Sequence, residues 1–158
     1  MFRPLHHTTK KHWVLLKLIL FSVLYGFLNI NWIDLFATTV PYYHIWLILS
    51  YFAPFAVLIV FQGVRDWQLA LSLALLVSLI NDLGYFFTSD LLFGFQVPLI
   101  SWLGGQLGFA GFNVLFTFQG GPITFPVTSA LMGLSIYVRI AVVAVILLHW
   151  WRFPRLKI

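Results

Sequence analysis

Four long apolar stretches dominate the sequence, and each is long enough to cross a membrane as a helix. They run over about 13–30, 44–61, 67–88 and 127–150, and a membrane-spanning helix needs about 20 apolar residues. Because the stretches are continuous rather than alternating between apolar and polar positions, they do not fit the strands of a membrane barrel. The pattern predicts an all-α integral membrane protein, a single polytopic domain over residues 1–158 with four transmembrane helices.

The stretch between the third and fourth predicted helices, about 89–126, is apolar but interrupted by glycine and proline. It has two interpretations: an outer cap with a short interfacial or re-entrant helix around 98–118, or a fifth crossing made by the same residues. At about 1.5 Å per residue, the stretch is long enough to span. Within it, Gly104 and Gly108 form a G-x-x-x-G pattern, which predicts close packing between helices.

Lysine and arginine are distributed unevenly along the chain, and this distribution predicts the topology. Apart from Arg139, they occupy the N-terminal region, the turn after the second helix and the C-terminal tail (Arg3, Lys10, Lys11, Lys17, Arg65, Arg152, Arg155 and Lys157). Four crossings place all these charges on one side, whereas five would separate the last three from the others. Since basic residues of short loops face the cytoplasm, we expect a multi-pass protein of the cell membrane with both termini in the cytoplasm.

Composition supports a lipid environment and limits the chemistry. The 158 residues are 61% apolar and 8% charged, with a mean hydropathy of +0.97, whereas soluble domains carry about 25% charged residues. There is no cysteine and no glutamate, which excludes thiolate metal sites and cysteine nucleophiles. The formal charge of +5 is concentrated near the chain ends, so it indicates membrane orientation rather than nucleic-acid binding. We therefore expect no catalysis by this chain on its own and no required cofactor.

Two charged residues, Asp82 and Arg139, lie within the apolar stretches of the third and fourth predicted helices. A charge in that position costs at least about 2.5–3.5 kcal/mol, so such residues are candidates for function. Residues three or four apart share a helix face, which groups further polar side chains with this pair. The predicted intramembrane polar site comprises Ser78, Asn81, Asp82, Tyr85, Ser135 and Arg139. It has two interpretations: a site for an ion, a proton or a small solute, or a structural ion pair that docks the two helices.

Candidates for a metal or an organic cofactor are less specific. Asp34, His44 and Asp90 fall on the same predicted outer side, and carboxylate and imidazole are suitable metal ligands. They form a candidate metal site, although their spacing does not require one. Aromatic residues make up 19% of the chain, which leaves open a pocket for a quinone or a pigment, but aromatic side chains facing lipid explain the same fraction.

Two functions from different classes fit these observations. The leading hypothesis is a non-catalytic integral subunit that stabilises a larger membrane complex, such as an oxidoreductase, a monooxygenase or a respiratory assembly, with lipid and other integral subunits as partners. It rests on the scarcity of soluble segments and of catalytic residue types. The alternative is a small oligomeric channel or carrier with an intramembrane Asp–Arg polar site. A membrane enzyme is a third hypothesis.

Overall fold

The structure, a computed structural model, describes residues 5–36, 40–63, 66–93, 114–120 and 122–153. Long helices make up most of this part of the chain, and a short two-stranded sheet accompanies them. In chain order the elements are α1 (Leu5–Tyr25), a π-helical turn (Gly26–Ile30), α2 (Asn31–Phe36), α3 (Tyr43–Gln62), α4 (Trp67–Phe93), β1 (Val114–Gly120), β2 (Ile123–Thr128) and α5 (Ser129–Arg152).

Four helical segments of the described residues are long and apolar enough to cross a membrane. These candidate spans are Thr9–Phe36, Tyr43–Phe61, Trp67–Tyr85 and Ser129–Arg152. They correspond to the four helices predicted from the hydrophobic pattern, so that prediction is confirmed at this level. The single polytopic domain predicted over residues 1–158 stays a prediction, because the structure does not describe the whole chain.

The first helix does not end at residue 30 as predicted. The π-helical turn continues it into α2, with the Asn31 N–H bonded to the Gly26 carbonyl oxygen, and helical structure extends to Phe36. The polar residues of this stretch suggest a loop by composition alone. Since Asn31 is fully buried against the rest of the bundle, packing accounts for the helical conformation that the local sequence does not predict.

The boundaries of the last two long helices also differ from the prediction. α4 continues past residue 88 to Phe93. α5 begins at Ser129 rather than at 127, because Val127 and Thr128 belong to β2. The Thr128 hydroxyl accepts a hydrogen bond from the Leu131 N–H at 3.3 Å, which satisfies one of the free amide groups at the helix start.

The chain is not all-α, because part of the glycine-rich segment forms an antiparallel hairpin of β1 and β2. Both strands are rich in β-branched and aromatic residues, and a Gly-Pro sequence at residues 121–122 separates them, a combination that favours a hairpin. The predicted interfacial helix around 98–118 is therefore wrong for residues 114–118. The remainder of that predicted helix, including Gly104 and Gly108, lies outside the described residues.

α4 is the central helix of the bundle. It packs against α1, the π-helical turn, α2, α3 and α5, and 56% of its span is buried, compared with 17–22% for the other three spans. Its side chains Leu69, Leu73 and Val77 form the main core together with Leu15 of α1 and Phe55 of α3. The outer helices leave most of their apolar residues facing outward, as helices that contact lipid or a partner helix would.

The first turns of α1 and the last turn of α5 lie at the same end of the bundle. The rings of His12 and Trp151 pack with centroids 4.6 Å apart, and His12 Nε2 donates a hydrogen bond to the Trp151 carbonyl oxygen at 2.9 Å. The hairpin lies at the opposite end, where the ring of Phe118 is 5.0 Å from that of His44 at the start of α3. This arrangement agrees with four crossings and separates the basic end of the chain from the hairpin end.

Candidate functional site

The ion pair predicted from the sequence is present between α4 and α5. Arg139 Nη2 donates to Asp82 Oδ2 at 2.5 Å, and 16% and 19% of the Arg139 and Asp82 side-chain surfaces remain exposed. It is the one salt bridge found among the described residues. Hydrogen bonds between two charged groups are roughly twice as strong as neutral ones. Because each helix carries one member, the pair joins α4 to α5.

Two serine residues complete the surroundings of the Arg139 guanidinium. Nη1 donates to Ser78 Oγ at 2.9 Å, Nη2 donates to Ser135 Oγ at 3.1 Å, and Nε donates to the Ser135 carbonyl oxygen at 3.2 Å. Each serine hydroxyl in turn donates to a carbonyl of its own helix, at Leu75 and Met132. These hydrogen bonds, added to the bond with Asp82, offset much of the cost of placing a charge among apolar helices.

A second group of polar side chains is centred on Asn81. This fully buried residue uses Nδ2 to donate to Asp34 Oδ2 at 2.9 Å and to the Tyr51 hydroxyl at 3.2 Å. Since an ionised carboxylate only accepts hydrogen bonds, Asp34 determines which way the Asn81 amide is oriented. The group links α4 to α2 and α3, just as the ion pair links α4 to α5. Adjacent residues of α4, Asn81 and Asp82, thus hold helices on two different sides.

A cavity of about 730 Å³ lies between α3, α4, α5 and the hairpin. Its polar wall includes both members of the ion pair, the two serines and Asp34. The apolar part of its wall consists of Leu47, Ile48, Phe52, Leu75, Val127, Leu131 and Met132. Ligand sites in proteins typically measure about 300–1,000 Å³ and have mostly apolar walls with a few convergent polar groups. The cavity has both properties.

Aromatic rings form a continuous wall at the hairpin end of the cavity. The Tyr43 and His44 ring centroids are 3.9 Å apart, those of His44 and Phe118 are 5.0 Å apart, and those of Phe118 and Phe125 are 5.1 Å apart. All four rings line the cavity. The two contacts made by Phe118 fall within the about 4.5–7 Å range of favourable ring pairs. The contact with His44 holds the hairpin against α3 and so helps to define the cavity.

Five of the six residues predicted for the polar site line this cavity: Ser78, Asp82, Tyr85, Ser135 and Arg139. The spacing argument therefore identified one shared face on α4 and one on α5. The sixth predicted residue, Asn81, is not part of the cavity wall. It is buried behind that wall, where it faces α2 and α3 through its hydrogen bonds with Asp34 and Tyr51.

The candidate metal ligands are only partly described by the structure. Asp34 and His44 both line the cavity, whereas the Asp90 side chain lies outside the described residues. Across the part of the chain that is described, no three or more His, Cys, Asp or Glu side chains come together in a way that could hold a metal ion. The three-residue metal site of Asp34, His44 and Asp90 stays a prediction.

Asp34 and Tyr51 belong to the polar site through their hydrogen bonds with Asn81, although the sequence does not predict either of them for it. Asp34 follows residue 30, where the hydrophobic pattern predicts a loop, but the π-helical turn keeps it in a helix. One signal is its three-residue spacing from Asn31, which would put both polar side chains on one helix face. Tyr51 has no comparable signal, because nothing in the apolar sequence of α3 distinguishes the face on which it lies.

The fold and the site define a class: a mainly helical protein with four candidate membrane spans and a partly polar cavity between them, as expected of a multi-pass membrane protein. Comparison with known proteins assigns no family, since no family model, no curated protein and no solved structure matches the chain. The geometry and chemistry of the cavity are therefore the evidence for function.

Proposed function

We propose that this chain is a small integral membrane protein that binds an amphipathic small molecule in the cavity between α3, α4 and α5. The observation that carries the proposal is a 730 Å³ cavity with a hydrogen-bonded ion pair in its wall. The apolar part of the ligand packs against Leu47, Phe52 and Leu131, and its polar part meets the polar wall formed by Asp34 and the Asp82–Arg139 pair. The proposal develops the carrier alternative, because a carrier requires such a binding site.

The position of the ion pair favours a binding role over a role in helix docking alone. A pair that only docked two helices would be expected within a closed interface, away from any cavity. Here Asp82 and Arg139 line an accessible volume together with Ser78 and Ser135. Their polar atoms therefore lie where the polar group of a ligand would meet them, beside walls that suit an apolar group.

Equilibrium dialysis of the purified chain in nanodiscs of zwitterionic lipid measures such binding. The probes are three phenylbutyl compounds that differ only in the head group: phenylbutyl-trimethylammonium, which is cationic, phenylbutanol, which is neutral, and phenylbutanesulfonate, which is anionic. Empty nanodiscs give the partition of each probe into lipid, which is subtracted. We expect at least one probe to bind saturably, at one site per chain.

A matched pair of variants on α5 connects this binding to the cavity. Leu131 lines the cavity, whereas Leu134 on the same helix has 51% of its surface exposed and is not part of the cavity wall. Leu131→Trp should fill the cavity and lower probe affinity by about tenfold or more, and Leu134→Trp should leave it unchanged. Failure of all three probes to bind, or equal losses in both variants, would contradict the proposal.

We also propose that both termini face the cytoplasm and that the hairpin end faces outward, as the distribution of lysine and arginine predicts. Single cysteines in this cysteine-free chain test the orientation with an impermeant thiol reagent applied to intact cells. Val40→Cys should be labelled, because Val40 is exposed in the turn between α2 and α3, and Lys157→Cys should not. The opposite pattern would show that the orientation is reversed.

A second proposal is that the chain is a non-catalytic subunit of a larger membrane complex. It is supported by the outward-facing apolar residues of the three outer spans, in which only 17–22% of the residues are buried. Either lipid or the helices of partner subunits would cover such surfaces. Purification in mild detergent distinguishes the two possibilities, because partner subunits stay bound whereas lipid is exchanged for detergent. Larger subunits that stay bound through size-exclusion chromatography would support the proposal, and a chain that elutes alone would count against it.

A further inference from the structure

Two carboxylates and one permanently charged cation line the cavity, beside the imidazole of His44. These are Asp34, Asp82 and Arg139, and the Asp82 carboxylate is neutralised by its salt bridge with Arg139. Asp34 receives a hydrogen bond from the neutral amide of Asn81, and no salt bridge to it is present among the described residues. Asp34 is therefore the carboxylate whose charge remains for a ligand to neutralise.

Aromatic rings share the cavity with this carboxylate. Tyr43, Tyr85 and Phe118 line the same cavity as Asp34. The face of an aromatic ring attracts a cation that lies within about 6 Å of its centroid, and proteins recognise quaternary ammonium groups with such rings. A carboxylate and several rings in one cavity both attract a cation, whereas the carboxylate repels an anion.

We propose that the polar group of the ligand is an organic cation, such as an alkylammonium group, and that Asp34 is its counter-ion. The inference rests on the proposed binding function and specifies the class of ligand. An organic cation fits better than a bare metal ion, because the cavity wall is mainly apolar and aromatic. The alternative to an ionised Asp34 paired with a cation is a protonated, neutral Asp34, because a carboxylate without a partner is costly in apolar surroundings. A neutral Asp34 would give the cavity no preference for cations.

The three phenylbutyl probes test the head group directly, because they share one apolar part. The unmodified chain should bind phenylbutyl-trimethylammonium about tenfold more tightly than phenylbutanol, and phenylbutanesulfonate should bind most weakly. Equal affinities for the ammonium compound and the alcohol would overturn the cation inference while leaving the binding function intact. If none of the three probes binds, the proposed function fails, and the cation inference fails with it.

Variants of Asp34 test its role as the counter-ion. Asp34→Asn keeps the size of the side chain and removes its charge, so affinity for the ammonium compound should fall about tenfold, to that of phenylbutanol. The readout is the ratio of the ammonium affinity to the phenylbutanol affinity, which separates a lost preference from a general loss of binding. Asp34→Glu should retain the preference for the cation. Asp66→Asn is the matched control, because Asp66 precedes α4 at the opposite end of the bundle. Unchanged ammonium affinity in Asp34→Asn would overturn the inference.

Discussion

Replacing Asp82 or Arg139 alone with alanine should lower the free energy of unfolding by about 3–5 kcal/mol, the usual cost of leaving one charge of a buried pair without its partner. The two side chains are joined at 2.5 Å and only 16% and 19% of the Arg139 and Asp82 surfaces are exposed. Arg139→Ala also removes the guanidinium donors that reach Ser78 and Ser135. Replacing both charged residues with leucine leaves no charge without a partner. The double variant should therefore recover much of the lost free energy of unfolding.

Unfolding of the purified variants in mixed micelles with increasing sodium dodecyl sulfate gives the free energies that this comparison needs. The single leucine variants at Asp82 and at Arg139, together with the double leucine variant, form a double-mutant cycle that isolates the coupling between the two residues. Arg152→Ala is the matched control, since Arg152 is exposed at the end of the same helix, and it should change stability by no more than about 0.5 kcal/mol. Single losses that simply add in the double variant would show that Asp82 and Arg139 do not interact.

The same double variant separates a structural role of the pair from a role in binding. If the variant with leucine at both positions folds and still binds the phenylbutyl probes, the pair only joins α4 to α5. If it folds and has lost binding, the pair also contacts the ligand. The second outcome is expected, because both side chains line the cavity rather than a closed interface.

The ion pair is predictable from the sequence for a physical reason. A charge within an apolar helix is costly, so two opposite charges on different helices of one bundle lower their cost by meeting. Asp82 and Arg139 also lie at compatible depths if their helices are antiparallel, and Ser78 and Ser135 each precede them by one turn on the same face. The contacts of the Arg139 guanidinium with Asp82, Ser78 and Ser135 follow this pattern.

The position of Asp34 could not be predicted in the same way, because it depends on packing between distant segments. The sequence after residue 30 is polar enough to suggest a loop, and only the contact with α4 reveals why it stays helical. Asn81 of α4 donates a hydrogen bond to Asp34, and Asn31, one turn earlier, is fully buried. Hydropathy treats these polar residues as unfavourable in a membrane helix, whereas the fold uses them to join α2 to α4.

The hairpin could not be predicted from hydropathy either. Short apolar runs lie within residues 114–128, and hydropathy alone does not distinguish part of a helix from two short paired strands. The distinguishing signals are local: many β-branched and aromatic residues on either side of the Gly-Pro sequence at residues 121–122. The consequence for the site is large, because Phe118 and Phe125 of the hairpin provide part of the cavity wall.

Gly26→Val should destabilise the fold by about 1–3 kcal/mol, the usual cost of adding atoms to a well-packed interior. A Cβ atom at Gly26 would lie 2.8 Å from the carbonyl oxygen of Val77 and 3.1 Å from Cβ of Ile80. The first of these contacts is with the backbone of the central helix, which cannot rotate away as a side chain could. Relief would require the π-helical turn to move away from α4.

Gly26→Ala makes the prediction sharper, because the two effects of this substitution have opposite signs. Alanine is favoured over glycine within a helix by about 1 kcal/mol, so the variant would be more stable if the position had free space. We expect it to be less stable, since the added Cβ alone makes the close contact with Val77. Ala141→Val, on an exposed position of α5, is the control for added volume and should stay within about 0.5 kcal/mol.

Unfolding in the same mixed micelles measures all three variants, and a more stable Gly26→Ala chain would show that the π-helical turn and α4 do not approach this closely. The π-helical turn also leads directly into α2, which carries Asp34. A shift of the turn away from α4 would therefore lengthen the hydrogen bond between Asn81 and Asp34, now 2.9 Å. Folded Gly26→Val should accordingly bind phenylbutyl-trimethylammonium more weakly than the unmodified chain, while Ala141→Val should bind it equally well.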